Sequence, residues 1–242
     1  MALKNIEVCF SPAMYSLHHK SEAIVVIVDI LRATSAICTA FMNGVKEIIP
    51  VGDAELARDF KKRGFLVAAE RDGLVLEFAD FGNSPFNFTS ERVGGKQIVY
   101  STTNGTKAIE LANGCAEIII GSYLNLSALS KWLIQENKDV VIFCSGWKNR
   151  YSLEDSIFAG ALVEKLLEGG GFETICDSAN ASLDLWKVAK IDLHGYSLKV
   201  AQKARLAKNG LDDVFEFCHT LDQTDIIPLL KDGCLIGVTP DN

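Results

Sequence analysis

The chain has 242 residues, 48% of them apolar and 23% charged, and its 31 acidic side chains outnumber 24 basic ones for a net charge of −7. That length and composition suit one large domain or two small ones with a sizeable core and exclude a disordered chain; with no linker to force a split, a single domain over residues 1–242 is expected. The acidic balance excludes the broad basic face that nucleic acid or an anionic membrane demands, so an anionic ligand has to be met by local arginines, helix starts or a metal.

In chain order, short β-branched runs alternate with longer amphipathic stretches. Residues 23–28 read as a buried strand, 35–43 as a helix stopped at Gly44, and 47–51 as a second strand. A helix over 54–63 stops at Gly64 and leads into a strand at 65–69. The order then repeats, with strands at 97–101, 117–120 and 140–144 and helices at 106–113 and 127–137. A longer helix over 153–168 ends at Gly169-Gly170-Gly171. From about Asp177 the pattern is less regular: a basic helix over 198–208, a short strand or helix at 212–218, and a final edge strand at 233–238. Such alternation predicts an α/β protein with mostly parallel strands and helices on both faces. No apolar run reaches the length of a leader or a spanning helix. The seven cysteines form no C-x-x-C pair, so neither a disulfide framework nor a zinc site is expected, and a reducing, cytoplasmic setting fits.

The second set of strands echoes the first. Asn43-Gly44-Val45-Lys46-Glu47-Ile48-Ile49 matches Asn113-Gly114-Cys115-Ala116-Glu117-Ile118-Ile119 seventy residues later. Each copy follows a strand, a Thr-bearing turn and a helix, and each leads to a strand ending in polar residues. We read an internal duplication whose polar strand ends converge, although helix-Asn-Gly-strand is also ordinary C-cap chemistry.

Ligands of open α/β sheets bind beyond the carboxyl ends of strands, and five polar clusters fall there. Asp29, Arg32 and Thr34 open a helix after the first strand; Asp29 suits a metal or an attack on phosphorus, and Arg32 a fork onto phosphate oxygens. Capping alone would also explain Asp29 and Thr34. Glu70 and Arg71 pair an acid with a base, an arrangement that on a surface contributes little. Asn83 and Ser84 sit in a turn and offer donors to an oxyanion. Thr102, Thr103, Asn104, Gly105 and Thr106 make a phosphate cradle without the lysine of a nucleotide-binding loop. Cys144, Ser145 and Gly146 lead through Arg150 to Glu154 and Asp155 at the start of a helix. Those two acids suit Mg²⁺, or merely the helix dipole. The Cys-x5-Arg spacing of Cys144 and Arg150 also describes a cysteine-dependent phosphatase. Trp147 and Lys148 are bulky for so tight an anion loop.

In this order and spacing, Asp29-x-x-Arg32-Ala33-Thr34, Glu70-Arg71-x-Gly73, Gly82-Asn83-Ser84-Pro85, Thr102-Thr103-Asn104-Gly105-Thr106 and Ser152-Leu153-Glu154-Asp155 resemble the 2-phosphosulfolactate phosphatase family. The resemblance runs on through Gly121-Ser122-Tyr123-Leu124-Asn125 and His194-Gly195 to Leu221-Asp222. It implies a three-layer α/β/α fold with a mixed sheet. It also implies an Mg²⁺-dependent hydrolysis of 2-phospho-3-sulfolactate, or a related 2-phosphohydroxy acid, on the way to coenzyme M or sulfolactate. On that reading Asp29, Glu70, Glu154 and Asp155 supply the metal ligands, with Asp29, Arg32, Glu70 and Glu154 catalytic. Thr34, Arg71, Asn83, Ser84, residues 102–106 and Cys144, Ser145 and Gly146 hold the substrate, and His194 is a candidate proton donor. The expected partner is a small anionic phosphate ester, with no nucleic acid and no membrane, and a homodimer is among the assemblies left open. The competing readings are a cysteine phosphatase built on Cys144 and Arg150, and a non-catalytic binder of small organic anions.

Overall fold

The computed structural model describes residues 2–240, so residues 1, 241 and 242 of the expected domain lie outside it. Its strands are β1 (Lys4–Cys9), β2 (Ile24–Val28), β3 (Glu47–Pro50), β4 (Leu66–Arg71), β5 (Leu74–Val75), β6 (Gln97–Ser101), β7 (Glu117–Gly121), β8 (Val140–Cys144), β9 (Phe172–Glu173), β10 (Ile227–Lys231) and β11 (Cys234–Val238). They form one mixed sheet in the order β5-β4-β6-β3-β11-β10-β7-β2-β8-β1-β9. Within it β4, β6 and β3 are parallel neighbours, as are β7, β2, β8, β1 and β9.

Helices cover both faces, which is why β2 reads as an unbroken apolar run: Ile24 to Val28 are all fully buried. Side chains alternate between faces along it. Ile24, Val26 and Val28 join one core with residues of helices Leu126–Glu136, Leu153–Gly169 and Asp177–Ala189. Val25 and Ile27 join the opposite core with helix Ala33–Met42. A smaller core under β4 and β6 takes Ala57 of helix Ala54–Lys62. Among the described residues no helix is long and apolar enough to cross a membrane.

Two expectations need correction. The segment at 234–238 is not an edge strand: β11 pairs with β10 as a hairpin in the middle of the sheet, between β3 and β7. The stretch after Asp177 is not irregular either, but a thirteen-residue helix packed on Leu153–Gly169. The packing is close: a Cβ on Gly160 would lie 1.9 Å from the Ser182 carbonyl oxygen.

The hairpin sits at the centre of a palindrome. Outward on one side lie β3, β6 and β4; on the other lie β7, β2 and β8. If β2, β3 and β4 make one unit and β6, β7 and β8 the other, each side reads second strand of one unit, first of the other, third of the one. Exchanging the units leaves the order unchanged. The two halves interlock, and the echo at Asn43-Gly44 and Asn113-Gly114 falls at equivalent points.

This interlocking positions the polar strand ends. From β2 to β6 is five inter-strand steps, about 24 Å along a flat ladder. Yet a Cβ on Gly105, beyond β6, would lie 2.8 Å from Ala33 Cβ and 3.3 Å from Asp29 Oδ2, beyond β2. The Tyr100 hydroxyl at the end of β6 donates to the Ala33 carbonyl at 3.2 Å. The sheet therefore bends enough to bring the carboxyl ends of both units together, and only glycine fits where they touch.

Candidate active site

Equivalent loops build the site from both units. After β2, Thr34 N donates to the Asp29 carbonyl at 2.9 Å and Asp29 N to Thr34 Oγ1 at 3.1 Å. After β6, Thr102 N donates to Thr106 Oγ1 at 3.1 Å and Thr106 N to Thr102 Oγ1 at 3.2 Å. These threonines close their own turns. Thr34, Thr102 and Thr106 are buried and thus shape the loops from within.

Two carboxylates then lock the loops to each other. Glu70, near the end of β4, accepts from Thr103 N at 2.7 Å, Gly73 N at 2.6 Å and Thr103 Oγ1 at 3.3 Å. Asp155, on the helix after β8, accepts from Ile30 N at 2.9 Å and Gly146 N at 3.2 Å. Each takes one amide beside its own strand end and one from the first loop of the other unit. Ser152 caps this helix through Asp155 N at 3.4 Å, which turns the acids of its first turn towards the loops.

Between the loops lies a tight cavity with about 20 Å³ of free space, lined among others by Asp29, Arg32, Asn83, Asn104, Trp147 and Gln202. Arg32 is buried and directs one N–H to the Gly73 carbonyl at 3.2 Å, which leaves most of its five donors for a ligand. Burial, then the charges of Glu70 and Glu154, push the Asp29 carboxyl up to about 7, with Arg32 and the Ala33 amide pulling the other way. Burial also raises Glu154, and burial with the Glu154 and Asp29 charges raises Asp155 well above the carboxylate range. The site thus holds more negative charge than Arg32 offsets, a setting that favours a bound cation.

The four carboxylates expected on a metal do not stand alike. Among the described residues no group of three or more His, Cys, Asp or Glu is placed to hold a metal ion. Both oxygens of Glu70 and both of Asp155 are occupied by N–H and O–H donors. Asp29 has only a long 3.4 Å contact from Ala33 N. Glu154 meets its own amide, the Ser152 hydroxyl and the positive charge of Arg205. Asp29 and Glu154 therefore fit Mg²⁺, which takes one or two carboxylates and completes its shell with water and substrate oxygens.

Other expected site residues fall outside the cavity for visible reasons. Arg71 donates to the Glu70 carbonyl at 2.6 Å, the Gly52 carbonyl at 2.8 Å and Ser101 Oγ at 3.0 Å, tying strand ends together. Thr103 is taken up by Glu70 and by Asp72 N. Ser84 opens a turn, its carbonyl accepting from Asn87 N. The His194 ring packs edge-on against Phe215 at 5.4 Å. Asn83 and Asn104 do line the cavity.

The Cys144 motif is not a phosphate loop. Cys144 is fully buried and its thiol is pushed well above its ordinary range by burial, the reverse of what a thiolate nucleophile needs. The amides that would cradle phosphate are in use. Gly146 N goes to Asp155, Trp147 N to the Arg150 carbonyl at 3.1 Å, and Lys148 N to Asn104 Oδ1 at 3.2 Å. Ser145 is buried and Arg150 exposed. What sequence reasoning missed is Gln202, from helix Ala201–Lys208, with Arg205 hydrogen-bonded behind it. That helix reads as a basic surface stretch, and no local signal marks one of its residues as facing a site 170 positions upstream.

Comparison with known proteins agrees along the whole chain. A family model described as 2-phosphosulpholactate phosphatase matches residues 9–233. A probable 2-phosphosulfolactate phosphatase of Caldanaerobacter subterraneus is 40% identical over 221 residues, covering 88% of this chain and 89% of its own. Proteins given the same name in Thermotoga maritima and Clostridium novyi are 36% identical over 211 residues and 34% over 208, covering 87% and 84% of this chain and 90% and 87% of theirs.

Proposed function

The chain belongs to the 2-phosphosulfolactate phosphatase family, and from that premise we propose that it hydrolyses 2-phospho-3-sulfolactate, or a related 2-phosphohydroxy acid, to the free hydroxy acid and phosphate, with Mg²⁺. The observation that carries this reading is the pairing of a buried, mostly unengaged Arg32 with an Asp29 carboxyl that has almost no hydrogen-bond partner. Asp29 and Glu154 would hold Mg²⁺, which when bound neutralises phosphoryl oxygens.

The chain's own part is to bind and orient. Arg32 grips the phosphoryl oxygens as a fork, and the Asn83 and Asn104 amides flank it. Enclosure keeps bulk water away and strengthens each of these contacts. In net terms water leaves its hydroxyl on phosphorus while the P–O bond to C2 breaks, and the C2 oxygen takes the proton. Glu70 and Asp155 are positioning residues, acting through the backbone of the loops. The sulfolactate formed would serve coenzyme M synthesis or be released as such. The seven free cysteines suit a reducing, cytoplasmic setting.

A pair of variants separates this chemistry from a cysteine mechanism. Asp29→Asn should abolish phosphate release from 2-phosphosulfolactate while the protein stays folded, and Cys144→Ser should keep activity within a few-fold. Activity surviving in Asp29→Asn but lost in Cys144→Ser would reverse the assignment.

A further inference from the structure

One wall of the cavity comes from helix Ala201–Lys208, far along the chain from the strand-end loops. Gln202 is 7% exposed and lines the cavity with Asp29, Arg32 and Asn83. Arg205 Nε donates to Gln202 Oε1 at 2.5 Å, and its guanidinium carbon lies 4.7 Å from the centre of the Trp147 ring. A guanidinium N–H can only donate, so Gln202 must give it the oxygen. The Gln202 NH₂ is thereby turned away from Arg205, and among the described residues no protein acceptor meets it.

A second observation points to a ligand. Asn83, in the same lining and equally buried, has its Oδ1 without any hydrogen-bond partner. Buried polar groups are normally paired, so the unmet Asn83 amide marks a contact held for something bound, its oxygen for a donor or cation and its NH₂ for an oxyanion. Charge leads to the same place. A 2-phosphohydroxy acid with a sulfonate carries three anionic groups, while Arg71 is committed to Gly52, Glu70 and Ser101. Arg205 stands behind this wall, against Gln202 and Trp147 of the lining; its Nε donates to Gln202, and its charge also bears on Glu154.

Resting on the phosphatase reading, we propose that Gln202 and Arg205 form a clamp for the oxyanion at the far end of the substrate, its carboxylate or sulfonate, and so set which 2-phosphohydroxy acid is accepted. Trp147 supports the guanidinium by stacking, and Arg205 fixes the orientation of the Gln202 amide.

The test compares wild type with Arg205→Met, which keeps apolar cover on Trp147, and with Gln202→Leu, each checked for folding by thermal melting. The esters are 2-phosphosulfolactate, 2-phospholactate (no sulfonate) and O-phosphoisethionate (no carboxylate). Both variants should lower kcat/KM for 2-phosphosulfolactate by about tenfold or more, mainly through KM, the scale of one charge-assisted hydrogen bond. That loss should persist for whichever smaller ester keeps the recognised oxyanion and be several-fold less for the other, which says which group is held. Equal losses on all three esters, a loss through kcat alone, or no loss would make Arg205 a counter-charge for Glu154 and overturn the clamp. Should wild type hydrolyse none of them, the phosphatase reading fails instead. Calorimetric binding of sulfolactate then decides the clamp: weaker binding by Arg205→Met supports it, and equal binding, or none to wild type, overturns it.

Discussion

Asp29 carries the tension of the site in one side chain. Its carboxyl is raised from 3.8 to about 7, so the folded protein holds that proton more tightly than the unfolded chain does between those values. The resulting stabilisation is full below about pH 4 and is lost as pH rises through 7. In metal-free protein at pH 8 the ionised group is a liability beside Glu70 and Glu154, and Asp29→Asn should melt higher than wild type by roughly 2–4 kcal/mol of stability. At pH 4 the gain should vanish; a gain equal at both pH values would mean that ionisation of Asp29 is not its source. Millimolar Mg²⁺ should raise the melting temperature of wild type and leave that of Asp29→Asn unmoved. Glu70 behaves differently, because its oxygens serve backbone amides. Glu70→Ala should cost roughly 1–3 kcal/mol in urea unfolding through the unpaired amides of Gly73 and Thr103, and Glu70→Gln clearly less. Sequence showed these acids as one undivided set, since a carboxylate reads the same whether it will meet metal or amide. Only the folded loops separate Asp29 from Glu70 and Asp155.

At the scale of elements, the strand-end loops depend on helices that hold their starts in place. Helix Leu153–Gly169 carries Glu154 and Asp155 to the site and rests on Asp177–Ala189 through Gly160. An alanine at an ordinary helix position favours the helix by about 1 kcal/mol over glycine. At position 160 its Cβ would meet the Ser182 carbonyl at 1.9 Å, so Gly160→Ala should instead destabilise by about 1–3 kcal/mol in denaturant unfolding. A stabilised variant would mean that the helices are not so closely seated. Elements with local signals were readable in the chain. Helix Ala33–Met42 is stopped by Gly44 at φ +81, and Ser152 and Asp53 cap their helices. Helix Asp177–Ala189 has no side-chain cap and carries Asn180 and Ser182 within it, which blurs its periodicity. Hairpin β10–β11 looks like an edge because Lys231, Asp232 and Gly233 form an exposed turn, and its central place depends on partners nearly 200 residues away in sequence.

For the molecule as a whole, the palindromic strand order explains how polar strand ends far apart in the sheet come to line one cavity. Neither unit has a complete constellation: β2 and β4 bring Asp29, Arg32 and Glu70, while the second unit brings the 102–106 loop, Trp147 and the helix with Glu154 and Asp155. Interlocking the units folds these ends onto one another, so that in a chain of net charge −7 the buried Arg32 stands among carboxylates drawn from both units. The echo of seven residues was legible in the chain, whereas the interlocked strand order was not, because strand order is set by long-range pairing that no short window contains. The measurement that bears most directly on this account is phosphate release from 2-phospho-3-sulfolactate by the purified protein, followed as Mg²⁺ is titrated in after chelation. The account predicts no turnover in chelator, saturable recovery with Mg²⁺, and no recovery in Asp29→Asn. Undiminished turnover in chelator, or no phosphate release from this or any other 2-phosphohydroxy acid at saturating Mg²⁺, would contradict it.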